Sequence, residues 1–262
     1  MTINEMRERK EELRYSYETI AELSAISVEI VRDVLEGIIK SPEYEVRKML
    51  EEVLEVPEYY ETFPGVKEET LAYLAPKRQG EYTLDDYFAL PDEQRVELID
   101  GVIYDMAAPT FGHQFVGDEI NAVFRDFIRK KKGKCASVTS PVDVQLDRNN
   151  KTMVQPDVLI LCEKDKLRNG RVFGAPDLVV EVLLPSTRKK DIHIKTRKYR
   201  DAGVREYWRV DFRKKRVYVD EFEKGKETGL YTFEQDVPVG IFNYECKVNF
   251  KEIDELISAW NA

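Results

Sequence analysis

The side chains that could do chemistry in this sequence are few, and most are acids set in apolar surroundings. The segment 178–184, Leu-Val-Val-Glu-Val-Leu-Leu, holds a single charge, Glu181. A run apolar on both faces reads as a buried central strand, and a carboxylate there is costly unless it is paired or bound to a metal. Asp157 opens a second apolar run in Val154-Gln-Pro-Asp-Val-Leu-Ile-Leu161. Two acids on neighbouring buried strands would make a hard-cation site, suited to Mg2+ or Mn2+; the plainer reading is that each caps a loop or pairs with a buried Arg. Glu97, in Arg95-Val-Glu-Leu-Ile-Asp-Gly101, would alone read as an exposed glutamate, but beside the other two it becomes a third ligand candidate. Lys195 shares a helix face with Ile192, Tyr199 and Ala202 and so points inward, whereas Lys190 and Arg197 project roughly opposite. An inward ammonium near the acids could position or deprotonate a water or stabilise phosphorane charge; a snorkelling lysine is the alternative.

Composition narrows the chemistry further. Among 262 residues there are two histidines, His113 and His193, which leaves little room for multi-His zinc hydrolases or His-metal nucleases. A net charge of −9 argues against a general cationic coat, so any nucleic-acid binding must be local. The common nucleotide-binding and serine-hydrolase motifs are missing. Three widely spaced cysteines, with no CxxC pair, read as incidental thiols in a reducing cytosol rather than a disulfide frame or zinc site. The polar start carries no signal-peptide core, and the apolar runs are too short to span a bilayer, so a soluble cytoplasmic protein is expected.

Stepping along the chain, residues 1–80 net −7 and residues 81–262 net −2, with a breaker-rich stretch at 75–80 between them. We expect a helical module at 1–56, a connector at 57–80 with one short helix at 67–74, and an α/β domain at 81–262. In the first, helices are expected at 4–13, from Ser16, from Ser27 to Glu36 with Gly37 as the stop, and from Ser41-Pro42 onward. In the last, Asp100-Gly101 signals a hairpin turn between 96–99 and 102–104, and a helix spans 116–128. Strands are expected at 142–146, 154–161, 178–184, 206–210, 216–221 and 230–233. Helices are expected at about 190–202 and 250–260.

Residues 3–56 resemble the Cro and phage-repressor helix-turn-helix family, with Ala25 where that family usually has Gly. The helix equivalent to the recognition helix carries Glu29, Asp33 and Glu36 against Arg32 alone, which suits phosphate poorly. DNA binding, dimerisation and partner docking all remain open for it. The segments Arg95–Gly101, His113-Gln-Phe-Val-Gly-Asp-Glu-Ile120, 154–161, 177–187 and 198–211 resemble the Uma-type restriction-endonuclease family, a branch of the PD-(D/E)xK nuclease superfamily. That resemblance implies a central mixed β-sheet flanked by helices, a site at a split in the strands, and Mg2+- or Mn2+-dependent DNA cleavage. It makes Asp157 and Glu181 the motif acids and Glu97 the upstream acid, all three metal ligands. The superfamily's lysine place holds Leu183, and Lys195 is its expected substitute. His113, in a family-like Gly-His-Gln segment, is a weak candidate. Arg188, Lys189, Lys190, Arg197 and Lys198, with Arg32, are weak candidates for the phosphate backbone, and the cluster at 129–134 is another. The rival expectation is an inactive DNA-binding regulator or assembly module on a nuclease fold; a homodimer is expected either way.

Overall fold

The structure is a computed structural model that describes residues 1–54, 77–91, 93–185, 188 and 190–260. The expected connector lies outside the described residues except for 77–80, and so does its short helix at 67–74.

The chain begins with four helices: α1 (Ile3–Leu13), α2 (Tyr17–Ser24), α3 (Val28–Leu35) and α4 (Tyr44–Leu54). Their starts are set by side-chain caps. Thr2 and Glu5 form a capping box on α1, and the hydroxyls of Ser16 and Ser27 accept the third backbone N–H of α2 and α3. Ala25 closes α2 in the left-handed conformation, φ +58°, which is the geometry that favours Gly at this turn. The fourth helix starts at Tyr44, two residues beyond Pro42.

The second region is a mixed sheet with helices on both faces. A hairpin of β1 (Val96–Ile99) and β2 (Val102–Asp105) turns at Asp100 and Gly101, both with positive φ, as the Asp-Gly pair predicts. A Cβ on Gly101 would meet the Gly80 carbonyl oxygen at 2.3 Å, so only glycine fits there. Then come α5 (Leu84–Ala89) before the hairpin and α6 (Phe111–Lys130) after it, β3 (Ala136–Thr139), β4 (Val144–Gln145) and β5 (Val158–Leu161). β6 (Leu167–Arg168), β7 (Arg171–Phe173) and β8 (Leu178–Val182) follow. A π-helical turn at Lys190–Lys195 runs into α7 (Thr196–Ala202), then β9 (Glu206–Asp211), β10 (Arg216–Asp220) and β11 (Gly229–Thr232). β12 (Asp236–Pro238), β13 (Lys247–Asn249) and α8 (Phe250–Ser258) complete the described chain.

The main sheet runs β11-β10-β9-β8-β5-β3, antiparallel throughout except for the parallel pair β8 and β9, which the π-turn and α7 connect as a crossover. Period-two alternation divides β8 between two cores. Val180 and Val182 pack with α6 residues Ile120 and Phe124 and with Trp208, while Val179 packs with Leu159, Tyr199 and Tyr207 on the other face. Glu181 therefore emerges on the face covered by α7.

The paired cysteines correct one expectation. Cys135 and Cys162 form a disulfide, and among the described residues Cys246 is the free thiol, buried in the core. Cys135 precedes β3 and Cys162 follows β5, and the register that pairs Ala136 with Leu161 brings them together. Sequence spacing cannot reveal a pairing made by strand register, and one ground for the cytosolic expectation goes with it. Among the described residues no helix is long and apolar enough to cross a membrane.

The helical region shares a core with the sheet domain. Leu183 and Ile192 are buried among Leu13, Tyr15, Ile20 and Val34. Tyr15, fully buried, donates its hydroxyl to the Ile192 carbonyl at 3.3 Å and accepts from Arg209 Nη1 at 3.1 Å. Arg209, also fully buried, bonds Asp220 Oδ2 at 2.6 Å. A backbone bond of 2.9 Å from Thr228 N to Arg14 O adds a further link. Removing one partner of a buried ion pair strands the other, so Asp220→Ala should destabilise the full chain by about 3–5 kcal/mol. Tyr15→Phe leaves an Arg209 donor and a carbonyl short of a partner and should cost about 1–3 kcal/mol. Urea unfolding measures both, and a Tyr15→Phe cost below about 0.5 kcal/mol would mark that contact as incidental.

Candidate active site

Four acids and two lysines converge where β1, the start of β5, the end of β8 and the π-turn meet. Lys195 is 3% exposed and sits at the centre. Its Nζ lies 2.7 Å from Glu97 Oε1, 2.7 Å from Glu181 Oε1 and 3.8 Å from Asp191 Oδ1. Lys190 Nζ lies 2.7 Å from the other Glu97 oxygen, Oε2. The Tyr199 hydroxyl donates to Glu181 Oε1 at 2.6 Å. Asp157 stands at the foot of β5, where its Oδ2 accepts from the Val182 N–H at 2.8 Å and faces His113 Nε2 at 3.2 Å. His113 is placed by α6, whose first turn is capped by the Thr110 hydroxyl. Gln155 N donates to Glu97 Oε1 at 3.1 Å, fixing that carboxylate to the segment before β5.

Glu97, Asp157, Glu181, Lys195 and His113 thus come together as the sequence places them, around a cavity of about 50 Å³. That is room for roughly three or four water-sized occupants. Lys190 belongs with them, which reverses the expectation that it faces away. The reason is the π-turn. In an α-helix residues 190 and 195 lie about 140° apart, but a turn closed by i→i+5 bonds places them on one side. Asp191 and Tyr199 also join the site without having been singled out for it; the signal for Tyr199 was its position one helical turn after Lys195 on the same face.

Three of the remaining candidate cations have acidic partners elsewhere. Arg188 pairs with Asp211, Lys198 with Asp100 and Asp147, and Arg32 lies 3.8 Å from Glu18 with its guanidinium over the Tyr17 ring. Arg197 is exposed, and Lys189 lies outside the described residues.

The charges in the cluster do not cancel. Glu97, Asp157, Glu181 and Asp191 face two ammonium groups, leaving an excess of two negative charges when His113 is neutral. Burial opposes ionisation of Glu97, but Lys190 and Lys195 outweigh it and hold its pKa down at about 2. For Glu181, burial is the largest influence; Lys195 pulls the pKa down, yet Asp157, Asp191 and Glu97 push with burial and carry it up to about 8. Lys195 itself stays charged, because the carboxylates around it overcome the burial that would neutralise it. The charge excess therefore settles on Glu181.

A small polar cavity lined by Asp157 and Glu181, where the acids outnumber the two lysines, fits one divalent cation, whose charge would favour the ionised form of Glu181. The fit is not that of a preformed three-acid cage. Among the described residues no three His, Cys, Asp or Glu side chains form a metal-holding group, because both Glu97 oxygens face ammonium groups.

Three comparisons bear on this arrangement. Residues 84–239 match the Uma2 family model, described as "Putative restriction endonuclease". An uncharacterized protein of Synechocystis sp. is 29% identical over 117 residues, which are 44% of this chain and 60% of that protein's length. The crystal structure of a "putative nuclease belonging to DUF820" from Anabaena variabilis superposes with a TM-score of 0.55 at 21% identity, covering 66% of this chain and 97% of that one. That last likeness shows the fold.

The Glu181 carboxyl titrates higher folded than unfolded, so its contribution to stability is present at low pH and lost as pH rises through about 8. Without divalent metal, stability should therefore decline between about pH 4.5 and pH 8. Glu181→Gln should flatten that decline; urea unfolding in chelator from pH 5 to 9 measures it, and an unchanged slope would remove Glu181 as its source.

Proposed function

The chain belongs to the Uma2 family, and from that premise we propose that it is a metal-dependent endonuclease hydrolysing phosphodiester bonds in DNA. The observation that carries this reading is the buried Lys195 ammonium, 2.7 Å from both Glu97 and Glu181. A lysine this far from its usual motif place has reached the acids from the following helix. Leu183, at the usual place, packs among the N-terminal helices, so its apolar character answers to that contact and is no mark of lost activity.

Asp157 and Glu181 would be the carboxylates that hold Mg2+ or Mn2+. Glu97 can join them only by releasing Lys190 or Lys195. A bound divalent ion would supply Lewis acidity at the phosphate and lower the pKa of its water. The protein's own groups do the rest. Glu97 holds both lysine ammonium groups beside the cavity. Lys195, between Glu97 and Glu181, would offer its N–H groups to the charge that develops on the phosphoryl oxygens. Tyr199 holds the Glu181 carboxylate in place, and His113 does the same for Asp157.

The order of α2 and α3 about the left-handed Ala25 supports the helix-turn-helix reading of residues 3–56. The acids on α3 make its role in DNA reading a weak and salt-sensitive one, while the shared core gives the region a structural role whatever it binds.

Purified protein incubated with supercoiled, linear, branched and single-stranded DNA in Mg2+ or Mn2+ should nick or cut at least one form, and chelator should stop it. Asp157→Ala should abolish cleavage. Lys195→Ala should lower the rate by about 10²–10³ without weakening metal binding measured by calorimetry. Wild-type protein inert on every form, with no heat of metal binding, would overturn the reading.

A further inference from the structure

The cationic end of α6 has no part in the site just described. Gln114 and Ser140 line the cavity of that site. Thr139, next in sequence to Ser140, lines a separate groove of about 520 Å³ between α6 and β3, with Ser137, Asn121, Val138, Arg125 and Arg129. Ser137 Oγ donates to Asn121 Oδ1 at 2.6 Å, which ties its two walls together. β3 is the outer strand of the main sheet, so its free edge faces solvent. Beyond the groove's end stand Lys130, Lys132 and Lys134. Arg125, Arg129 and these three lysines are exposed, and none has an ion-pair partner among the described residues. By contrast, Lys131 is held by Glu245 over the Phe127 ring. Asp118 and Asp126 are exposed on α6, but neither lines the groove.

We propose that this groove is a track for one nucleic-acid strand leaving the active site, its phosphates drawn along α6 toward Arg125 and Arg129. The inference rests on the nuclease reading for its starting point and adds the strand's direction and footprint. Helix α6 carries the distance: from His113 to Arg129 the rise is roughly 24 Å, about seven nucleotides at duplex spacing. The apolar Ile128, Val138 and Val142 share the groove with the hydroxyl and amide groups of Ser137 and Asn121, and Arg125 and Arg129 add charge, which suits a strand gripped without regard to sequence.

The test measures binding, in chelator, of fluorescent single-stranded oligonucleotides of 3 to 15 nucleotides. Affinity should climb with length and level off near seven to nine. The double variant Arg125→Ala/Arg129→Ala should weaken binding of the long oligonucleotide on the order of tenfold. It should also reduce the salt slope by about 1.4, as expected for two lost single-strand phosphate contacts. It should leave the three-nucleotide affinity unchanged. Lys164→Ala/Lys214→Ala, which removes the same charge from exposed positions elsewhere, is the control and should change little. Equal losses in both double variants, or affinity independent of length, would overturn the track. A dimer broken by Val138→Glu alongside length-independent binding would assign the β3 edge to a second copy instead. Failure of the nuclease reading shows separately, as absence of metal-dependent cleavage by the wild type while length-dependent, Arg125- and Arg129-dependent binding persists.

Discussion

A single ammonium group organises this protein. Lys195 is buried, charged, and in contact with two carboxylates from different elements, Glu97 on the hairpin and Glu181 on the central strand. Lys195, with Lys190, keeps Glu97 ionised in these surroundings, since a charge taken from water must be met by an opposite one, while burial and the neighbouring acids carry the Glu181 pKa up to about 8. The π-turn that carries Lys195 also brings Lys190 to the second Glu97 oxygen, so one local irregularity of the backbone supplies both cations. Such turns occur often where function needs side chains that α-geometry would separate.

The same turn explains why the N-terminal helices matter to the site. Ile192, within the π-turn, is buried against them, and its carbonyl accepts from Tyr15. Tyr15 is in turn held by Arg209, whose charge is balanced by Asp220 on β10. The chain of contacts runs from the sheet through the helical region back to the segment bearing Lys195. The N-terminal helices are thereby a support for the segment bearing Lys195.

Electrostatics separate this molecule into zones that its net charge conceals. The acids of the site are concentrated to the point of raising the Glu181 pKa, while unpaired cations gather at the far end of α6. The proposed nucleic-acid strand would be held at the cationic end and presented to the acidic end, whose acids the proposed divalent cation would offset.

Much of this was legible in the residues. Asp157 and Glu181 stood out because an acid inside a run apolar on both faces needs a physical reason, and Lys195 because helical spacing placed it on an apolar face. Caps at Ser16 and Ser27 and the Asp100-Gly101 turn are local signals read from a few neighbouring residues, and they predicted the elements they bound. The sequence could not show the strands of two or three residues at β6, β7, β12 and β13, which are too short to display a period. Nor could it show that Lys190 faces the site, because a helical wheel assumes 3.6 residues per turn and the backbone here adopts a wider one. The Cys135–Cys162 bond and the two-lysine grip on Glu97 belong wholly to the tertiary structure: both join residues far apart in sequence, and only strand register and packing decide which distant groups meet.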